Sequence, residues 1–175
     1  MRRALYVGTF DPPTKGHQSV IQAGSDLFDE LVIGLALNPN KAPMFTTTER
    51  LAMLNTMARG FSNVSAEKIP IGFYTVDFAQ KMDIQFLLRG IRNTTDFVYE
   101  QMMCEQNLRI NQTIRTIFVM PEAKYSHVSS SSVREKMKFM GWEDPVRNEI
   151  PDVIWPQFYK HAEEIAEYNG FHPSR

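Results

Sequence analysis

Five short apolar runs, each followed by a longer stretch of helical or polar character, constrain this chain more than any other feature. Ala4–Val7, Leu31–Leu37, Val64–Ile69, Gln85–Leu88 and Thr116–Val119 are brief and rich in aliphatic or β-branched residues, which predicts strands. Between them the apolar period lengthens. In His17–Phe28, residues Val20, Ile21, Gly24, Leu27 and Phe28 share one face, and in Glu49–Phe61 so do Leu51, Leu54, Met57, Ala58 and Phe61. The second helix opens on Thr46 and Glu49, which have capping-box spacing. Thr75–Lys81, Asp96–Leu108 and Ser130–Phe139 complete the helical set. Strands alternating with helices predict an α/β fold: a doubly wound sheet of about five parallel strands with helices on both faces.

The chain has 175 residues, enough for one domain with a proper core. The sheet domain is expected over residues 1–140. Residues 141–175 read as a C-terminal loop and helix, because Pro145, Pro151 and Pro156 interrupt Gly141–Pro156 before Gln157–Tyr168 resumes helical spacing. In that helix Phe158, His161, Ala162, Ile165 and Ala166 lie on one side, ready to pack on the domain or on a neighbouring subunit.

The bulk charge excludes some functions. A net charge of −1 does not suit wholesale nucleic-acid binding, which needs a strongly basic face. The single cysteine, Cys104, can form no internal disulfide, which fits a reducing compartment. No run of about 18 apolar residues could span a membrane, and the N-terminal apolar run is too brief for a signal-peptide core. The expected location is the cytoplasm. The four histidines lack metal-ligand spacing, so no protein-held metal is expected.

Parallel sheets bind ligands at the carboxyl ends of their strands, near the point where strand order reverses. Four unusual polar segments follow predicted strands: Gly8–His17, Asn38–Thr46, Arg89–Asp96 and Pro121–Ser132. In the first, Gly8 permits close backbone approach, and free amides at the following helix start would attract an anion. Thr9 and His17 could then donate hydrogen bonds to a phosphate. In the last, Ser129, Ser130, Ser131 and Ser132 supply more hydroxyls than one helix cap requires. Arg89 and Arg92 flank Gly90 and Ile91, as phosphate-binding arginines could, although a solvated surface pair has the same spacing. Lys41 adds a cation after the second strand. Asp96 and Glu100, at i and i+4, are open to two readings: a paired acid–base site, or partners for an arginine or a ribose. The inventory of cations, hydroxyls and helix starts, without a supported nucleophile, suits phosphoryl or nucleotidyl transfer.

Gly8-Thr9-Phe10-Asp11-Pro12 leading to Thr14-Lys15-Gly16-His17 resembles the T/HxGH signature of the nucleotidylyltransferase superfamily. Asn38–Phe45, Leu88-Arg89-Gly90-Ile91-Arg92, Asp96-Phe97-Val98-Tyr99-Glu100 and Val128-Ser129-Ser130-Ser131 resemble, in order, the phosphopantetheine adenylyltransferases within it. The resemblance implies a Rossmann-like fold, usually a hexamer, and transfer of AMP from ATP to 4'-phosphopantetheine with Mg²⁺ carried on the ATP phosphates. It implies catalytic roles for His17, Lys41 and Arg92. ATP would be held by Thr9, Phe10, His17, Gly90, Ile91, Arg92, Glu100, Tyr125, Ser126, His127, Val128, Ser129, Ser130 and Ser131. The acceptor would be held by Thr9, Lys41, Thr75 and Arg89. The chain departs from the pattern at Tyr74-Thr75, at His127, at Ser132 and in its longer tail from Trp142. Other readings are a nucleotidylyltransferase for a different acceptor, such as a mononucleotide adenylyltransferase or a cytidylyltransferase, and a nucleotide-binding module without turnover.

Overall fold

The computed structural model describes residues 1–37 and 42–168. Strand β1 (Arg3–Gly8) leads into helix α1 (Lys15–Leu27), β2 (Glu30–Leu35), α2 (Thr47–Ala58), β3 (Val64–Lys68), α3 (Thr75–Lys81), β4 (Phe86–Gly90), α4 (Thr94–Ile110) and β5 (Arg115–Val119). Beyond the sheet come α5 (Ser130–Lys136), α6 (Glu143–Arg147) and α7 (Trp155–Tyr168). The five strands are parallel in the order β3-β2-β1-β4-β5, so the order reverses between β1 and β4. This is the doubly wound, Rossmann-like arrangement that the alternation of segments predicts.

Strand periodicity sorts the core. Ala4, Tyr6, Leu31, Ile33 and Leu88 face one buried cluster, with residues of α1, α2 and α5. Their strand neighbours Leu5, Val7, Val32 and Leu87 face the other, with Val76, Phe78 and Ala79 of α3. Successive side chains point to opposite faces, so one short strand serves two layers. The tail joins the first cluster: Trp142, Val146, Ile150, Ile154, Phe158 and Ala162 are all buried there.

The capping box at Thr46 and Glu49 forms as expected. Other boundaries move for local reasons. Helix α1 starts at Lys15 because Thr14 caps it, and α4 starts at Thr94 because the Asn93 side chain accepts from the Asp96 N–H. Strand β4 runs on through Arg89 to Gly90, since its ladder with β5 continues to Gly90 opposite Val119. Gly141–Pro156 is not one loop: it contains α6 and a 3-10 turn, Asp152–Ile154. Pro145 and Pro156 lie in the first turns of α6 and α7, where a missing N–H breaks no helical bond. Read as interruptions, these prolines actually mark helix starts.

Candidate active site

One cavity of about 900 Å³ opens at the carboxyl ends of β1 and β4, where the strand order reverses. It gathers Thr9, His17, Thr75, Arg89, Gly90, Arg92, Glu100, Val128, Ser129, Ser130 and Ser131 from distant parts of the chain. Its lining includes Arg50, Arg89, Arg92 and Arg134 against Asp11, Asp96 and Glu100, a cationic excess among the described residues. Lys41 lies outside the described residues.

The corner after β1 holds the imidazole. Thr14 is the N-cap of α1, and its hydroxyl accepts from the His17 N–H at 3.4 Å. In return the Thr14 N–H donates to His17 Nδ1 at 3.0 Å, with the Thr14 hydroxyl also 3.0 Å from that nitrogen. A ring nitrogen that accepts a main-chain N–H carries no proton, which assigns the proton to Nε2. Withdrawal from water, followed by the positive charge of Arg92, lowers the His17 pKa to about 4. The ring is therefore a neutral donor over the usual working range. Phe10 packs edge-on against it, with centroids 5.0 Å apart, and edge-on against Tyr6 at 5.4 Å.

This geometry refines three expectations for the corner. Gly8 lines the cavity, and its absent side chain makes room for the Phe10 ring, since a Cβ there would stand 2.9 Å from Phe10 Cζ. The Phe10 side chain is core, so any contact with ATP falls to its main chain. The amides at the start of α1 are not all free for an anion: Lys15 N–H donates to Glu149 O at 2.8 Å, and His17 N–H is taken by Thr14.

Two arginines stand on the opposite wall. Arg92 grips Asp96 with Nε at 2.7 Å and Nη2 at 3.1 Å, and its Nη1 reaches Val128 O at 3.4 Å. Burial pushes the Asp96 carboxyl up, but the hydrogen bonds and charge of Arg92 outweigh it and hold the group below its ordinary value. Arg89 binds Glu100 through Nε at 2.7 Å and Nη2 at 2.5 Å, and donates to Val7 O at 2.6 Å. Of the two readings of Asp96 and Glu100, the arginine-partner one holds: each carboxylate has its own guanidinium.

The serine run is divided among tasks. Ser129 caps α5 by accepting from Ser132 N–H at 3.0 Å. Ser130 Oγ donates to Pro12 O at 2.8 Å, and Ser131 Oγ accepts from Arg134 at 3.2 Å. Arg134 also donates to Asp11 O, so the fourth segment is laced to the first. Gly16 permits their approach, since a Cβ there would meet Val128 O at 3.3 Å. Tyr125, Ser126, His127 and Ile91 do not line the cavity, and Ser126 and His127 are exposed. Arg50 and Arg134 are cavity residues to which sequence reasoning gave no role. Arg50 sits in a helix that reads as amphipathic, and only its burial singles it out.

The fold and this cavity define a nucleotidyltransferase-type site, and the cytidylyltransferase-like family model matches residues 5–136. Nicotinic acid mononucleotide adenylyltransferase from Plasmodium falciparum, solved with NaAD, superposes with a TM-score of 0.67 at 12% identity, covering 91% of this chain and 95% of that one. At that identity the likeness concerns the fold. Closer in sequence are the phosphopantetheine adenylyltransferases of Lachnoclostridium phytofermentans, 38% identical over 159 residues, and Chromobacterium violaceum, 36% identical over 155. The first alignment covers 90% of this chain and 96% of the relative, the second 89% and 94%. This chain belongs to the phosphopantetheine adenylyltransferase family.

Proposed function

We propose that the chain transfers the adenylyl group of ATP to 4'-phosphopantetheine, giving dephospho-coenzyme A and pyrophosphate in coenzyme A biosynthesis. An oxygen of the phosphopantetheine phosphate attacks the α-phosphorus of ATP, and the bond to the leaving pyrophosphate breaks as the new P–O bond forms. One observation carries this reading beyond family membership. A neutral imidazole, its Nδ1 occupied from behind, shares a single cavity with four arginines and the Ser129–Ser131 turn. Such a site can place two phosphorylated molecules together and stabilise the charge that develops between them.

In this reading His17 Nε2–H donates to an α-phosphate oxygen more strongly as negative charge accumulates there. Arg92, fixed in place by Asp96, adds positive charge on the nucleotide side, with Thr9, Gly90 and Ser129–Ser131 around the phosphates. Arg89, backed by Glu100, faces the acceptor phosphate with Thr75 along its arm, and Lys41 would be a second acceptor cation. Phe10 and Ile91 would act through their main chains, and Tyr125, Ser126 and His127 as an outer loop. Mg²⁺ carried on the ATP phosphates would offset part of their charge. The cavity carboxylates are already engaged by Arg89, Arg92 and the Met44 and Phe45 amides.

A homo-oligomer, a hexamer by resemblance, forms part of the proposal, as does a cytoplasmic location. On α4, Val98, Tyr99, Met102 and Ile110 are exposed toward one side of the helix, apolar side chains that a second copy would cover. Among the described residues no helix is long and apolar enough to cross a membrane.

The test is pyrophosphate release from ATP with a panel of acceptors. Product with 4'-phosphopantetheine supports the reading. Product only with nicotinate mononucleotide, or only from CTP, replaces it with another transferase. Tight ATP binding with no product from any acceptor indicates a nucleotide-binding module.

A further inference from the structure

Asp11 and Arg50 make two oppositely directed ties between the corner after β1 and the segment entering α2. Asp11 reaches outward: its carboxylate oxygens accept from Met44 N–H at 3.0 Å and Phe45 N–H at 2.8 Å. Arg50, at the start of α2, reaches back: its Nη1 donates to Thr9 O at 2.7 Å while Nε donates to Thr46 O at 3.4 Å. Both residues are buried, at 6% and 3% exposure, and both border the cavity. Burial lowers the Arg50 pKa and the Asp11 charge opposes that, so the two groups support each other electrostatically as well.

The two halves of the cavity are held differently. The nucleotide half is closed by Ser130 on Pro12, Arg134 on Asp11 O and Thr14 on His17, none of which passes through α2. The other wall includes Ala42, Pro43 and Thr47, which precede or begin α2. Among the described residues, the hydrogen bonds that tie that wall to the corner, apart from the sheet and its continuation through Ala36 N–H to Gly8 O, are those of Asp11 and Arg50.

We propose that Arg50 and Asp11 are positioning residues: a crossed brace that sets the distance between the acceptor half of the site and the nucleotide half. The brace deepens the adenylyl-transfer reading and rests on it for its kinetic consequence. In-line attack between two bound phosphates needs reacting atoms about 3–3.5 Å apart, and a displacement of about 1 Å can cost about 100-fold. Thr9, whose carbonyl Arg50 holds, is the residue expected to touch both substrates.

The experiment compares Arg50→Gln, Arg50→Lys and Asp11→Asn with the unaltered chain by three measurements. These are steady-state kinetics with ATP and 4'-phosphopantetheine, ATP affinity by calorimetry, and hydrogen exchange of the peptide covering residues 42–46. Arg50→Gln should lower kcat/KM for the acceptor by roughly 30- to 100-fold, while the ATP dissociation constant moves less than about threefold. Exchange of the 42–46 peptide should accelerate by about tenfold as its closing contacts loosen. Arg50→Lys, which keeps one donor, should recover part of the rate. Asp11→Asn should give the same division between acceptor use and ATP binding, so the idea survives a folding failure at Arg50. Unchanged exchange, or loss of ATP affinity in step with turnover, overturns the brace. Failure of the unaltered chain to make product overturns the functional reading instead, and the exchange measurement then decides the brace on its own.

Discussion

The main-chain N–H of Thr14 donates to His17 Nδ1 at 3.0 Å, so the residue that caps α1 also sets the tautomer of the imidazole. One threonine thereby links helix initiation to chemistry. Removing the ring should separate ground-state from transition-state binding. His17→Ala is expected to lower kcat by about 100- to 1,000-fold, the range for losing one donor to a developing oxyanion. ATP affinity should move far less, and rapid-quench kinetics with calorimetry would read both.

The pH profile follows from the same ring. A free imidazole titrates near 6.5, whereas His17 titrates at about 4 because it is withdrawn from water and faces the charge of Arg92. Turnover should show no loss near pH 6.5 attributable to this group, its acid limb falling near pH 4. For stability, the unfolded chain binds the proton first as pH falls. The contribution of His17 is thus fully present above about 6.5 and lost progressively down to about 4. Urea midpoints across that window, compared with His17→Ala, would expose the difference.

Glu100→Ala leaves the Arg89 guanidinium without its carboxylate in a mostly buried position. Breaking one side of such a pair should destabilise the protein by about 3 kcal/mol, measured by urea unfolding. Arg89→Met/Glu100→Leu should cost less than the single change, because no lone charge remains.

Phe158→Ala tests whether the tail contributes to the core. Phe158 is fully buried, with its ring 5.4 Å from Phe45 and 5.5 Å from Trp155. The expected loss is about 3–5 kcal/mol, with the main thermal transition itself moving down. A second, separate low-temperature transition would show that the tail unfolds independently.

The sheet was legible because short aliphatic runs alternate with helical stretches along the chain, and adjacent pairs such as Leu5 and Tyr6, Val32 and Ile33, and Leu87 and Leu88 indeed serve its two faces. Cavity members in the segments that follow strands, such as Thr9, His17, Arg92 and Ser129–Ser131, were legible from strand ends. What escaped was chemistry hidden in ordinary roles. Arg50 reads as the polar residue of an amphipathic helix, since no local pattern announces that its guanidinium turns inward to Thr9 O. The α1 capping box escaped because its third position is His17 rather than glutamate or glutamine. Helix α6 and the first two residues of α7 were obscured by prolines, whose meaning depends on where a helix begins, whereas the rest of α7 was read from Gln157 onward. The pairing of Arg89 with Glu100 joins a strand to a helix, and the sequence left an arginine, a ribose and an acid–base pair all open as roles for that carboxylate.

The carbonyl of Glu149 occupies the amide of Lys15, two residues before His17. A ribosome delivers that carbonyl only after all five strands. The turn that aims the imidazole therefore lacks one of its fastenings until Glu149 has emerged, and a nascent chain can assemble its sheet before it completes its reactive corner.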